Sequence, residues 1–271
     1  MVTTDRRTML GALGAAILGS GLSATEARAA SSPARRSKTF ILVHGAWHGG
    51  WCYRDVAALL RAEGHVVYTP TLTGLGERRH LGVNIVNLDL HIEDIAQVFE
   101  FEELADVILV GHSYAGMVIT GVADRLADRI AGIVYLDAYV PRRDGDSIRK
   151  IQGSSVGDAT AAMGADGWSV APPPPESFGV KPANRERVAR LCTPQPLAPM
   201  LQELRLTGKH LEISNRHFVY ASGWGTGGQT PFRRFYDELR TEPQWKTHVM
   251  PCGHDMMIDE PRATANLLLS I

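Results

Sequence analysis

The residues best suited to do chemistry lie in a short stretch around Ser113. An apolar run at residues 107–110 leads into Gly111-His112-Ser113-Tyr114-Ala115-Gly116, and small and aliphatic residues follow. A serine between the end of a buried strand and the start of a helix is the nucleophile-elbow arrangement, in which the hydroxyl is exposed above the sheet edge. Ala115 replaces the usual last glycine, which we interpret as a tolerated variant. The stretch indicates a nucleophilic serine; an ordinary turn between a core strand and a core helix is the alternative.

A histidine must accompany this serine, because a serine hydroxyl is a poor nucleophile until a base takes its proton. His254 is the natural base, since it follows the last predicted strand after a glycine and precedes the closing helix. His44 and His48 belong to an early glycine-rich loop, and His112 lies beside the serine. Three further histidines are expected at the surface or at a strand start: His65, His210 and His217.

The base in turn needs a carboxylate to hold its tautomer. Residues 222–230, after the second-to-last predicted strand, contain no carboxylate, and the next one, Asp237, lies within a predicted helix. Asp137 directly follows the apolar run at residues 130–136, and it keeps the chain order serine, acid, histidine. We therefore predict Asp137 as the acid; its alternative role is to cap nearby backbone amides. Asp255 is a weaker candidate, because adjacent side chains diverge.

Alternating strands and helices must position these groups. We expect strands at residues 39–43, 66–69, 107–110, 130–136, 217–221 and 247–250. We expect helices at residues 53–63, 88–100, 231–240 and 261–269, besides the one after Ser113. This alternation predicts an α/β fold, a mainly parallel sheet with helices on both faces. Ligands bind beyond the carboxyl ends of such strands, where the chemically capable residues fall.

The chain divides into three parts around this fold. Residues 39–271 form the predicted domain, and within it residues 142–212 break the alternation with four consecutive prolines and scattered glycines. We interpret this segment as a cap insertion over the sheet edge. Residues 1–30 carry a twin-arginine start, a short apolar run and Ala27-Arg28-Ala29, which together predict a removed signal peptide and a periplasmic or secreted protein. A disordered basic N-terminus is the alternative, and residues 31–38 are expected to be a linker.

Composition narrows the classes of partner. With 271 residues, a net charge of −1 and a pI near 6.8, the chain gives no reason to expect nucleic acid as a partner. The apolar N-terminal run is too short for a stable membrane span. The three cysteines fit neither a metal site nor a disulfide framework, although a Cys52–Cys252 bridge is an alternative in an oxidising compartment. We expect no metal and no cofactor, and the sequence is compatible with a homodimer.

Three motifs carry a resemblance to a known family over residues 39–271. Residues 40–51 (FILVHGAWHGGW), 73–78 (TGLGER) and 111–116 (GHSYAG) are similar to the α/β-hydrolase subgroup of plant methylesterases, hydroxynitrile lyases and related bacterial esterases. The resemblance implies Ser113 as nucleophile and His254 as base. It also implies an oxyanion hole made by the backbone amides of Ala46 and Tyr114, which agrees with the physical interpretation of the two loops.

The acid departs from the subgroup, in which it usually follows the strand before the histidine strand. Some α/β-hydrolases, the haloalkane dehalogenases among them, instead place it after the strand that follows the elbow helix, where this chain has Asp137. A dehalogenase would need an aspartate at position 113. The related lyases carry a lysine directly after the catalytic histidine to hold cyanide, and Asp255 stands there instead. The resemblance therefore favours a carboxylesterase-type serine hydrolase over a lyase.

The expected substrate is a small-molecule ester of small to medium size that is largely apolar. Aromatic side chains suited to line its pocket are Trp47, Tyr139, Trp168, Phe178 and Trp224. Each is equally suited to an ordinary core. A non-catalytic ligand-binding protein that keeps this fold is the alternative from another functional class.

Overall fold

A parallel sheet forms the centre of the fold. The computed structural model describes residues 37–82, 84–225 and 230–271. The strands are β1 Thr39–Val43, β2 Val66–Tyr68, β3 Val107–His112, β4 Ile130–Leu136, β5 Ser169–Val170, β6 Gln195–Pro196, β7 Arg216–Ala221 and β8 Trp245–Met250. Among these residues six strands pair in the order β2-β1-β3-β4-β7-β8, all in parallel. Strands β5 and β6 form a separate antiparallel pair.

Helices cover both faces of the central sheet, since successive residues of a buried strand point to opposite sides. In β1, Ile41 and Val43 face one apolar core, and Phe40 and Leu42 face the other. The α-helices are α1 Arg54–Ala62, α2 Leu88–Phe101, α3 Ala115–Arg125, α4 Ile148–Gln152, α5 Val156–Ala161, α6 Pro182–Leu191, α7 Ala198–Leu201, α8 Arg233–Leu239, α9 Met256–Asp259 and α10 Pro261–Leu269. The first core contains residues of α2, α3 and α8, and the second contains residues of α1, α9 and α10.

The segment at residues 142–212 lies between the neighbouring strands β4 and β7. It contains α4 to α7, the β5–β6 pair and short 3-10 helices, among them Pro175–Phe178. Hydrogen bonds join it to the loop after β1: the Trp47 indole donates to the Val170 carbonyl at 3.1 Å, and the Thr193 amide donates to the Trp47 carbonyl at 2.8 Å. The segment therefore contacts the loop in which an oxyanion-hole residue is expected.

The fold confirms the predicted class and most of the predicted elements. Strands β1 and β4 and helix α10 have the expected bounds. Strand β8 begins two residues earlier than expected, at Trp245, and α8 begins at Arg233. Strand β8 is an edge strand, and most of its residues are partly or fully exposed, so apolar patterning marks its start poorly.

His65, His210 and His217 are all buried, so none is a surface residue; His65 directly precedes β2 and His217 lies at the start of β7, which agrees with the expected strand-start position, whereas His210 fits neither expectation. The His65 ring packs edge-on against Phe40, and His210 Nδ1 lies 2.8 Å from an Asp124 carboxylate oxygen. His217 stacks on His248 with ring centroids 5.3 Å apart. A ring or carboxylate from a distant part of the chain accompanies each, and local sequence does not reveal such partners.

The remaining expectations concern the N-terminal segment, a membrane span and the cysteines. The predicted signal peptide and most of the predicted linker lie outside the described residues. Within them, no helix is both long and apolar enough to cross a membrane. Cys52, Cys192 and Cys252 are free thiols, so the alternative of a Cys52–Cys252 bridge is wrong for this structure.

Candidate active site

Ser113 lies at a sharp turn between β3 and α3. Its φ is +53°, in the left-handed region that a non-glycine residue seldom adopts. The Ser113 amide donates to the Leu136 carbonyl at 3.2 Å, and its carbonyl accepts from the Tyr139 amide at 3.1 Å. These bonds hold the serine against the end of β4. The serine side chain is largely buried, with 9% of the residue exposed.

The glycine that this turn requires is Gly116, one residue beyond the usual last glycine of the elbow pattern. A Cβ added at Gly116 would lie 1.8 Å from the Tyr139 carbonyl oxygen, which is far inside van der Waals contact. Ala115 is fully buried in the core beside it. The start of α3 therefore approaches the backbone after β4 at position 116, and this explains why alanine is accommodated at position 115.

His254 and Asp137 form a buried hydrogen-bonded pair. His254 Nδ1 donates to Asp137 Oδ2 over 2.7 Å, and the two side chains are 4% and 0% exposed. Asp137 follows β4 with a φ of +43°, and its amide donates to the Val219 carbonyl at 2.7 Å. Its other oxygen, Oδ1, accepts from the Ala221 amide at 3.1 Å. The carboxylate thus lies between the ends of β4 and β7 and orients the imidazole.

Burial raises the pKa of Asp137, because a charged carboxylate is poorly solvated there. Hydrogen bonds from His254, from the Ala221 amide and from the Trp224 indole act in the opposite direction. The indole nitrogen Nε1 of Trp224 lies 2.8 Å from Oδ2, the same oxygen that accepts from His254. Asp255, the weaker candidate for the acid, makes no hydrogen bond to the His254 side chain among the described residues.

Two backbone amides are available where an oxyanion hole is expected. The amides of Ala46 and Tyr114 donate to no other described residue, although both residues are almost wholly buried. A buried amide without an acceptor is costly, so a ligand oxygen is its natural partner. Pre-oriented donors of this kind stabilise the oxyanion of an acyl-transfer intermediate.

Neutral histidines fix both loops that carry these amides. His44 Nδ1 donates to the Gly45 carbonyl at 2.8 Å and Nε2 accepts from the Leu72 amide at 3.0 Å. Burial lowers the pKa of His44 to about 3, so it stays neutral as this pairing requires. His91 Nε2 donates to the Thr73 carbonyl and Nδ1 accepts from the Tyr114 hydroxyl at 2.8 Å, and burial lowers its pKa to about 4.

Aromatic rings surround the imidazole of His254. Its centroid lies 4.6 Å from that of Trp224 and 5.3 Å from that of Phe178. Trp47 packs on Phe178 at 5.8 Å. Phe232, which sequence reasoning missed, is stacked on His254 at 5.3 Å and also contacts Tyr139. Phe232 lies beside a proline at a helix start, and nothing in its local sequence indicates the site.

Trp168 differs from the other aromatic residues predicted to line the pocket. The structure brings Trp47, Tyr139, Phe178 and Trp224 together around His254 and Phe232. Trp168 stays outside this group, with 55% of the residue exposed. It directly precedes β5, where its carbonyl accepts from the Leu197 amide.

Another buried pair, His48 and Asp255, lies close to His254. His48 Nε2 donates to Asp255 Oδ2 at 3.3 Å, and His48 Nδ1 donates to the Ala46 carbonyl at 2.8 Å. Both ring nitrogens donate, which requires a protonated imidazole. Burial alone would lower the pKa of His48, but the Asp255 carboxylate outweighs it and raises the pKa well above its ordinary value. The pair joins the loop after β1 to the residue after His254.

The same region contains a group of potential metal ligands that the sequence spacing did not reveal. Among the described residues, one ligand atom each from His112, His254 and Asp255 lies within 4.8 Å of the others. His112 Nε2 donates to the His254 carbonyl oxygen at 3.1 Å. Burial lowers the pKa of His112, and the nearby His254 lowers it further. These contacts make the group part of the packing behind the His254 turn.

Known proteins are similar to this chain over most of its length. Residues 40–267 match the alpha/beta hydrolase family. A carbendazim hydrolyzing esterase from Nocardioides sp. (strain SG-4G) is 46% identical over 242 residues, which cover 86% of this chain and 98% of that protein. Methylesterase 2 from Arabidopsis thaliana is 34% identical over 113 residues, which cover 41% of this chain and 43% of the plant protein.

A solved structure shows the same fold. An extracellular alpha/beta-hydrolase from a Paenibacillus species superimposes with a TM-score of 0.73 at 24% identity, covering 86% of this chain and 98% of that one. The coverage shows that the two chains share the fold over most of their length.

Proposed function

The chain belongs to the alpha/beta hydrolase family, and we propose that Ser113, His254 and Asp137 catalyse its reaction. The chain is a carboxylesterase-type hydrolase, as its relationship over nearly the full length of a named esterase shows. The observation that supports these residues is the buried His254–Asp137 pair, together with a serine at positive φ whose backbone is hydrogen-bonded to Leu136 and Tyr139, on either side of Asp137. They have the residue types and the chain order of a serine hydrolase triad in this fold.

The proposed reaction proceeds in two halves through an acyl-serine. His254 takes the proton of the Ser113 hydroxyl as the oxygen attacks the ester carbonyl, and Asp137 stabilises the imidazolium that forms. The amides of Ala46 and Tyr114 donate to the oxyanion. The tetrahedral intermediate expels the alcohol, which receives the proton from His254. Water then attacks the acyl-serine by the same steps and releases the acid.

The substrate that we propose is a small to medium, largely apolar ester. The aromatic rings around His254 support an apolar group beside the scissile bond. The relative named for carbendazim hydrolysis makes that compound a reasonable first candidate. An activity screen over carbendazim and over p-nitrophenyl, methyl, benzyl and lactone esters would identify the preferred class.

The direct test of this function uses Ser113→Ala. We expect the variant to fold normally and to lose turnover of p-nitrophenyl acetate by at least about a thousandfold, because the nucleophile is absent. A fluorophosphonate probe should label the parent protein at Ser113 and leave the variant unlabelled. We expect EDTA to leave the rate unchanged. A folded parent protein that binds esters without hydrolysing them would instead support the non-catalytic alternative.

We also propose that the chain is exported by the twin-arginine route and cleaved near Ala30. The support is the twin-arginine start at Arg6 and Arg7 with the small-residue pattern before Ala30. N-terminal sequencing of protein from the periplasm tests the proposal, and full-length chain found only in the cytoplasm would contradict it. Sedimentation of the same material would distinguish a single chain from a homodimer.

A further inference from the structure

Trp224 contacts both members of the acid–base pair. Its indole N–H donates to Asp137 Oδ2 at 2.8 Å, and its ring lies 4.6 Å from the imidazole of His254. Oδ2 also accepts from His254 Nδ1, so a single carboxylate oxygen receives two N–H donors. The Ala221 amide occupies the other oxygen. Each oxygen of a fully buried carboxylate therefore has a donor, and Trp224 is the only donor among these that comes from a side chain other than the base.

The backbone around Trp224 is held tightly on two sides. The preceding Gly223 amide donates to the Cys252 carbonyl at 2.8 Å, and a Cβ added at Gly223 would lie 2.8 Å from that same oxygen. On the other side, a Cβ added at Gly179 would lie 2.9 Å from the Trp224 Cβ. The indole thus approaches Asp137 from a backbone fixed against both the His254 loop and the segment at residues 142–212.

The location of Trp224 suggests why it is needed. In the subgroup that the sequence resembles, the loop after this strand usually supplies the acid, and here the acid comes from the end of β4. The loop after β7 contributes an N–H donor to that carboxylate instead of the carboxylate itself. A donor is the complementary group, because it constrains the rotation of the Asp137 side chain while Oδ2 faces the imidazole.

We propose that Trp224 is a positioning residue for the triad, fixing Asp137 Oδ2 against His254 Nδ1 through its indole N–H. This inference rests on the proposed function. The same hydrogen bond lowers the pKa of Asp137, whereas burial of the carboxylate raises it. The indole ring also covers one side of the imidazole, so the residue limits the approach of water to the acid–base pair.

The titratable groups near this pair come from several elements. His112 of β3 lies 4.3 Å from His254 between ring centroids, and burial keeps its pKa low, so it contributes no charge. Tyr139, after β4, and Cys252, after β8, both have pKa values raised by burial to about 12, so both stay neutral near pH 7. Asp255 also lies nearby, and its charge is paired with that of the protonated His48.

The test replaces the donor and keeps an aromatic ring. Trp224→Phe should lower kcat/KM for p-nitrophenyl acetate about tenfold or more, as expected for loss of a hydrogen bond to a charged group. The loss should fall on kcat rather than KM. Without the donor the pair binds a proton more readily, so the acid limb of the kcat/KM profile should move to higher pH. Trp245→Phe is the matched control, since Trp245 packs on Tyr135 away from this pair, and its profile should be unchanged.

A double-mutant cycle separates positioning from general packing. In the Asp137→Asn background, Trp224→Phe should change kcat/KM less than twofold, because the carboxylate that it orients is gone. An equal loss of kcat/KM in both backgrounds would overturn the inference, and so would an acid limb that does not move. The second result counts even if Trp224→Phe is less stable, because the pH of the acid limb does not depend on how much of the protein is folded. Activity that survives Ser113→Ala would instead overturn the proposed function.

Discussion

Asp137 and Asp255 both lie close to His254 in the fold, yet only Asp137 accepts a hydrogen bond from its side chain among the described residues. Asp137→Asn should lower kcat by up to about ten-thousand-fold, because the amide favours the wrong imidazole tautomer and cannot stabilise the imidazolium. The melting temperature should change little. Steady-state kinetics with p-nitrophenyl acetate and a thermal melt provide the measurement. Near-normal turnover would show that another group is the acid.

Asp255 has a structural role that local sequence did not suggest. Its fully buried carboxylate pairs with His48, so Asp255→Ala leaves a buried imidazole without its counter-charge. Breaking such a pair costs about 3–5 kcal/mol of the free energy of unfolding. Asp128→Ala, which removes an exposed aspartate, is the control and should cost little. Urea unfolding at pH 6 measures both, and an Asp255→Ala variant as stable as the control would contradict the pairing.

The same pair predicts how this stability difference depends on pH. The pKa of Asp255 lies below its ordinary value of 3.8, chiefly through His48 against the opposing effect of burial, so its contribution is present above 3.8 and is lost as the pH falls further. The pKa of His48 lies above 6.5, so its contribution is complete below 6.5 and is lost as the pH rises through the folded value. The difference between parent and Asp255→Ala should therefore be largest between about pH 4 and 6.5.

Local sequence predicts those residues whose role is indicated by their immediate neighbours in the chain. Ser113 is indicated by its own turn, and His254 by the glycine and strand before it. Phe232 and the His48–Asp255 pair were missed for a common reason: their partners lie far away in the chain, 207 residues away for His48. Hydrophobic periodicity shows that a residue is buried, but it does not show which distant side chain it meets.

Among the elements, three of the loops that follow strands hold a non-glycine residue at positive φ: Trp47 after β1, Ser113 after β3 and Asp137 after β4. Glu103 and Asp106, the other described non-glycine residues at positive φ, are exposed in the loop before β3. Strain at a buried position persists only where the surrounding structure imposes it. Sequence patterning located the buried strands well because they are apolar throughout. It located the exposed edge strand β8 less well, since only part of that strand contacts the core.

The segment at residues 142–212 should affect substrate choice through Phe178 and hardly at all through Trp168. Phe178 lies against His254 and Trp47, and its carbonyl accepts from the His254 amide at 2.8 Å. Phe178→Ala should shift the kcat/KM ratio between benzyl and methyl esters severalfold, because it removes a ring beside the scissile bond. Trp168→Ala, at an exposed position, is the matched control. Equal losses on all esters with a lower melting temperature would place Phe178 in the structural core.

In the molecule as a whole, the strand order determines which loop carries each group of the proposed site. The neighbouring strands β3, β4, β7 and β8 end in Ser113, Asp137, the loop with Trp224 and the loop with His254, respectively. The carboxylate and the imidazole meet above the end of β7, where Gly223 lies against the Cys252 backbone. The lack of a side chain at Gly223 therefore lets the loop after β7 lie against the backbone that leads to His254.

Strand β8 is the last of the described strands along the chain and an edge of the sheet, and the loop that follows it carries His254, the proposed base. Synthesis proceeds from the N-terminal end of the chain. Ser113 and Asp137 therefore emerge from the ribosome before His254, which lies 117 residues beyond Asp137. A chain in which β8 has not yet docked on β7 holds Ser113 without its proposed base, and a serine hydroxyl is a poor nucleophile without one. With the proposed triad, hydrolysis therefore begins only once β8 has docked.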